Sequence, residues 1–322
     1  MHKHNEKLIL GLLLSFFSLC LPVMVVAEFD VKKDAKTGQW LISEDGQAVL
    51  QYNYATVPLP DGYLDSLQHG REYAVPRSDY IQPLFGLDGK PITKDWADDH
   101  AHHRGIYWAW PEVGYKGQFG DLHALQQVFA RPTGEIQVAE KDGKLTLRAD
   151  NLWKWEDEEP IVRETTLITI HPREQDGRMI DLGFRFKGLV DEVTLARRDT
   201  EHYGGLNIRM QPLPEFHSGF FPEKGKEAPN KPAWVYCTWK DKTSNKDMEL
   251  VIFEKMSNPD YPGEYIEYPD IHWFQPTFPK NGERYVLKKD DALILHYRLW
   301  LHEVSGSDSA KLKRWQEFQN KP

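Results

Sequence analysis

Three of the four positions from 100 to 103 are histidine, in the run Asp98-Asp99-His100-Ala101-His102-His103-Arg104-Gly105. It leads directly into Ile106-Tyr107-Trp108-Ala109-Trp110. Histidine is the side chain whose unperturbed pKa lies nearest neutrality, and it is also the commonest metal ligand. The block therefore suits proton transfer or substrate contact, with His102 or His103 handling protons together with Glu164. Metal binding by His100, His102 and an acid such as Asp98 is a further alternative. Its bland reading is a polar strand end in which imidazoles hydrogen-bond backbone carbonyls. If residues 100 to 110 are extended, side chains alternate faces. His100, His102, Arg104, Ile106, Trp108 and Trp110 then share one face, and His103 and Tyr107 the other. An arginine two residues beyond a His-x-His pair suits an anion or a carbonyl oxygen.

Two more segments carry candidate groups. Glu164 opens a β-like run and shares a face with Thr166, Ile168 and Ile170. A carboxyl at the mouth of an apolar face can have a raised pKa and act as general acid or base; the alternative is a solvated strand-end charge. In His202-Tyr203-Gly204-Gly205-Leu206-Asn207-Ile208-Arg209, alternation sends Leu206, Ile208 and Met210 to the core. Asn207 and Arg209 stay opposite, beside a bare glycine backbone that allows close approach. Asn207 and Arg209 thus join His100, Arg104 and Trp108 as expected substrate contacts, and His202 joins the catalytic set; a bulge with a surface arginine is the plainer alternative. The histidines of His272-Trp273-Phe274 and of the His296, Arg298, His302 face read as structural. No Gly-rich phosphate loop, Cys-x-x-Cys, His-Glu-x-x-His or Gly-x-Ser-x-Gly occurs. No cofactor is expected, and whether a metal is bound stays open.

The elements that must position these groups are strands. Trp40 to Ile42 and Ala48 to Tyr54 read as a hairpin across Asp45-Gly46. Residues 55 to 79 and 111 to 127 read as long loops, the second holding Asp121 and His123. Ile180, Leu182, Phe184 and Phe186 alternate with polar residues, and a similar alternation runs through Leu293 to Leu301. A helical period arises only near the end, where Ser307 or Asp308 caps a helix with Leu312, Trp315 and Phe318 on one side. The expected fold is all-β, a large antiparallel β-sandwich with one short C-terminal helix, in a single domain over residues 28–322.

Residues 1–27 read as a secretory signal peptide: Lys3 and Lys7, an apolar stretch from Leu8 to Leu21, then Ala27 at the cleavage point. A periplasmic or secreted location follows. The formal net charge is −9, which becomes −10 for residues 28–322. That acidity argues against nucleic acid and anionic membranes as partners. Of the two cysteines only Cys237 lies beyond the leader, so the mature chain forms no internal disulfide. The 11 Trp and 14 Tyr suit either a β-rich core or a surface that stacks on sugar rings. The expected partner is an oligosaccharide or another small polar substrate.

Several blocks together resemble a secreted bacterial family usually labelled "methane oxygenase PmoA-like". They are Tyr80-Ile81-x-Pro83-Leu84-Phe85-Gly86-x-Asp88-Gly89; Asp99-His100-x-His102-His103-Arg104-Gly105-Ile106-x-Trp108-Ala109-Trp110; Gly204-Gly205-Leu206-x-Ile208-Arg209; Ser257-Asn258-Pro259-x-Tyr261-Pro262; and Leu295-x-Tyr297-Arg298-Leu299-x-Leu301-His302. The resemblance covers most of residues 28–322. It is not to the multi-pass membrane methane monooxygenase, whose helices this chain lacks. It implies a β-sandwich and a role in carbohydrate breakdown. The chain departs from the pattern at Gly120-Asp121-Leu122-His123, where the family tends to have Asp-Phe-Trp, and at Glu254-Lys255-Met256, where it tends to have Asp-His-Pro. The combined expectation is an exported hydrolase or lyase acting on an oligosaccharide. A non-catalytic sugar-binding protein and a His-ligated metal-dependent oxygenase or hydrolase are the alternatives.

Overall fold

The computed structural model describes residues 27–222, 232–304 and 308–320. The leader, apart from Ala27, and the Ser307 cap lie outside them. Among the described residues the architecture is β, in three antiparallel sheets, with one helix longer than four residues at the end. The first sheet has eight strands, in the order Phe29–Lys33, Trp40–Glu44, Gln47–Asn53, Tyr80–Leu84, Ile106–Ala109, Gly205–Arg209, Trp273–Thr277, Glu264–Tyr268. The second also has eight, with the long strands Lys144–Trp155, Glu159–Ile170, Arg178–Gly188 and Ala292–Glu303 among them. A third, smaller sheet joins Tyr285–Lys288, Glu192–Ala196, Glu112–Tyr115 and Gln118–Gly120. The sandwich expectation holds. The loop expected at 111 to 127 is partly replaced, because its first half forms two short strands of the third sheet.

Period-two patterning builds the core. Ile42, Leu50, Ile106, Trp108, Leu206, Ile208 and Phe274 from the first sheet meet Leu147, Ile168, Leu182, Phe184 and Leu295 from the second. Fully burying a side chain of this size stabilises by roughly 1.5–3 kcal/mol. The helix Asp308–Gln319 buries Trp315 and Phe318 against Trp300 and Val251, with Leu312 partly covered beside them, as its spacing predicts.

The same alternation sends other residues of the first sheet outward. Tyr107 stands between Ile106 and Trp108, Asn207 and Arg209 flank Ile208, and Trp273 precedes Phe274. The register pairs Asn207 with Tyr107 and Arg209 with Trp273. Three strands far apart in sequence thus bring their outer side chains together on one face. Gly205 makes the close approach: its φ is +143°, and a Cβ there would run into the Pro276 carbonyl.

Candidate functional site

The histidine block is not extended. His103 N–H donates to the His100 carbonyl at 3.0 Å, which closes a turn over residues 100–103. Gly105 follows at φ +54°, where a Cβ would meet the Ile81 carbonyl. The strand begins only at Ile106. The alternation expected from 100 to 110 therefore fails, since a turn and a left-handed glycine reset which face each residue takes.

The turn gathers the imidazoles instead of separating them. The His100 ring stacks on His103 at 4.7 Å, and His102 meets His103 edge-to-face at 4.7 Å. A further imidazole enters from the loop that follows the strand Gln118–Gly120: His123 meets His102 edge-to-face at 4.4 Å. One ligand atom from each of His102, His103 and His123 lies within 4.8 Å of the others. Trp273 stacks on His103 at 5.4 Å, and Tyr268 covers Trp273 at 4.9 Å. These rings, with His100, Tyr203 and Ile271, line a cleft of about 250 Å³.

His123 and His103 are held from behind. Tyr107 Oη is 3.0 Å from His123 Nδ1, with the two rings 3° from parallel. The Arg77 guanidinium lies 4.4 Å over the Tyr107 ring and donates to the carbonyls of Leu122 and His123. Arg209 Nη1 lies 3.2 Å from His103 Nδ1. An arginine only donates, so Nδ1 accepts and Nε2 carries the proton of the neutral ring. Arg209 Nη2 also donates to both oxygens of Asp99, at 2.8 Å each. His102 Nδ1 is buried with no hydrogen-bond partner.

Burial, then the neighbouring His100 and the cations Arg77, Arg104 and Arg198, brings His102 down to about 3. Burial and adjacent imidazoles also hold His103 and His123 well below the usual histidine value. All three are neutral at pH 7. A base with a pKa near 3 takes a proton roughly a thousandfold less readily than an ordinary imidazole. These rings suit donating and accepting hydrogen bonds, or coordinating a cation, better than shuttling protons.

Of the residues expected from sequence, His100, His102 and His103 line this cleft, and Arg209 contacts His103 behind it. The others lie elsewhere. Arg104 is fully buried behind it, pairing with Asp95 at 2.9 Å and the Val75 carbonyl at 3.1 Å while lying over Trp96. Trp108 faces the core, stacked on Trp110 at 4.5 Å. Asn207 is fully buried and accepts from Gln275 Nε2 at 2.8 Å. His202 is exposed, with its Nδ1 3.2 Å from the Arg198 carbonyl, and does not line the cleft. Glu164 is buried inside the sandwich, where it accepts from Trp153 Nε1 at 2.6 Å and Thr166 Oγ1 at 3.2 Å. Burial and the nearby Asp79 raise it well above the usual carboxyl range, as expected, but it does not line the cleft. Asp98 is exposed, and the ligand set that converges is not His100, His102 and Asp98. From sequence alone His123 falls in a nearby loop with no role attached, and Tyr268 carries no signal. The Asp121-x-His123 departure from the family pattern was the available signal for the first.

No helix among the described residues is long and apolar enough to cross a membrane. No curated protein matches the chain. Among solved structures, an Escherichia coli K12 protein described as a "putative aldose 1-epimerase" matches with a TM-score of 0.36 and 8% identity, covering 86% of this chain and 100% of that one. A family model matches residues 39–316; its description assigns no activity and does not include the methane-oxygenase label. Most of the chain lies within that match, and the protein belongs to the family described as "Family of unknown function (DUF6807)".

Proposed function

We propose that the protein is an exported carbohydrate-active enzyme, a hydrolase or lyase that works at the imidazole cleft on the end of an oligosaccharide. The observation that carries the reading is the convergence of His102, His103 and His123 beneath the aromatic faces of Tyr203 and Tyr268. Flat rings stack on the C–H faces of sugars, and pre-oriented imidazole nitrogens match their hydroxyls. The cleft is smaller than the roughly 300–1,000 Å³ of drug-sized sites, which suits a chain end more than a long stretch of polymer. In the metal-free chain His103, its Nδ1 engaged by Arg209, keeps Nε2–H as a donor. Asp99 and Asp121 beside the cleft are both engaged by arginines, Arg209 and Arg198. This differs from a free carboxylate pair flanking a glycosidic bond.

The test is turnover of a panel of neutral, uronate-containing and sulfated oligosaccharides, with products weighed by mass spectrometry. A hydrolase adds water across the broken bond; a lyase leaves an unsaturated product of the same summed mass as the substrate. Turnover should fall by at least about a hundredfold in His102→Ala and His123→Ala. Binding without any product would make this a sugar-binding protein, and turnover unchanged in both variants would remove the cleft from the reaction.

A further inference from the structure

We propose that His102, His103 and His123 hold one transition-metal dication of the zinc class at the floor of the cleft. The inference uses the cleft of the preceding proposal, but it is tested without any saccharide. Three imidazole nitrogens around a tetrahedral metal at about 2.0–2.1 Å stand roughly 3.4 Å apart. The three here lie within 4.8 Å of one another, so each need move inward by less than about 1 Å. Small ring rotations achieve that.

The surroundings of two rings fit ligation. His102 Nδ1 is buried and unpartnered, an arrangement that ordinarily costs about 1–3 kcal/mol unless something satisfies it. His123 has Tyr107 Oη 3.0 Å from Nδ1. With Nδ1–H donating to that oxygen, the Nε2 lone pair is free for a metal. Metal-binding histidines are commonly fixed in this way through their second nitrogen. Arg77 locks the Tyr107 ring and the His123 backbone at once. His103 must exchange its proton from Nε2 to Nδ1 and give up the 3.2 Å contact with Arg209, which keeps both bonds to Asp99.

Three protein ligands with an open side mark a catalytic rather than a structural metal. The open side here is the cleft between His100, Tyr203 and Tyr268. All-imidazole ligation suits zinc, copper, nickel or iron over magnesium or calcium. Arg77 bonds to carbonyls, and no carboxylate pairs with it among the described residues. The added positive charge favours an anionic fourth ligand, either hydroxide or an acidic group of the substrate.

The full chain, stripped with a chelator, would be titrated with zinc by calorimetry and with cobalt by visible absorption. One equivalent should bind, with the ligand-field bands of cobalt held by imidazoles. His102→Gln and His123→Gln, which keep side-chain volume, should each weaken binding by at least about a hundredfold. Tyr107→Phe leaves the ligands in place and should weaken it about 10–100-fold; it carries the test if a Gln variant fails to fold. Absence of binding to the native chain, or binding unchanged in these variants, overturns the site. Zinc bound with no saccharide turned over would leave the metal standing and sink the preceding proposal. Saccharide turnover by a chelated chain that then binds no zinc or cobalt on titration would do the reverse.

Discussion

Arg209 touches His103 with one nitrogen of its guanidinium and both oxygens of Asp99 with the other, at 3.2 Å and 2.8 Å. One planar fork thus sets the tautomer of an imidazole and anchors the turn that carries it. Lysine offers a point charge and cannot serve both partners in that geometry. Asp99 is about two-fifths exposed, so solvent screens much of the pair. Arg209→Lys should therefore cost only about 1–2 kcal/mol in stability, a melting shift of a few degrees. Turnover should fall at least about tenfold, because the turn that carries His103 is no longer anchored through Asp99. Thermal unfolding and kinetics measured side by side check this, and a variant that melts and turns over like the native chain would refute it.

The buried imidazoles make the metal-free protein sensitive to acid. A histidine whose folded pKa is depressed is neutral in the fold and takes up a proton more readily once unfolded. Stability is then full above the unfolded value of about 6.5 and declines as pH falls toward the folded value. For His102 that window runs from about 6.5 down to about 3. Glu254, which burial raises to about 7, acts in the opposite sense: its stability is full below about 4.5 and falls as pH rises toward 7. Total stability mixes the two, so the informative quantity is a difference. In chelated protein, His102→Gln should gain on the native chain as pH drops from 7 to 4, by about 1.4 kcal/mol per pH unit at most. Parallel melting curves across that range would show that His102 is not held neutral by the fold.

Inside the sandwich, Glu164 lies beside Asp79, which in turn accepts from Tyr52 Oη at 2.6 Å. Burial raises both carboxyls. For Glu164 the sign is that of a raised acid: its contribution is full below the unfolded value and falls as pH rises. Glu164→Gln preserves the acceptor for Trp153 Nε1 and supplies a donor for Asp79. It should be as stable as the native chain near pH 5 and more stable at pH 8, by on the order of 1 kcal/mol. Saccharide turnover should stay within about twofold. Loss of turnover in a well-folded Glu164→Gln would return a chemical role to this carboxyl.

The contrast between Glu164 and His123 shows where the sequence stops informing. Period two correctly put Glu164 on the buried face with Thr166, Ile168 and Ile170. It also put Leu206 and Ile208 inward and Arg209 outward, because β-strand alternation is local. The meeting of His103 with Arg209, 106 residues apart, follows from the pairing of Ile106–Ala109 with Gly205–Arg209 and is not local. The His102–His123 contact depends on a turn and a loop, where no period applies. Unbroken alternation puts Trp108 on the histidine face for the same reason: Gly105, at φ +54°, breaks the count between His103 and Ile106. Residues inside regular elements were legible, and those whose direction depends on a left-handed residue or a closing turn were not.

Tyr268 separates substrate contact from folding. It is 41% exposed, lies on Trp273 at 4.9 Å and presents its ring to the cleft. Trp273 beneath it is 2% exposed and serves as the buried support. Truncating a half-exposed ring at a sheet edge normally changes stability by no more than about 0.5 kcal/mol. Tyr268→Ala should therefore melt close to the native chain and bind the same saccharide at least about tenfold more weakly, read by calorimetry. Zinc affinity should not change, since Tyr268 offers no ligand to the three imidazoles. Saccharide binding that survives Tyr268→Ala intact would place the sugar elsewhere on the protein, whatever the metal does.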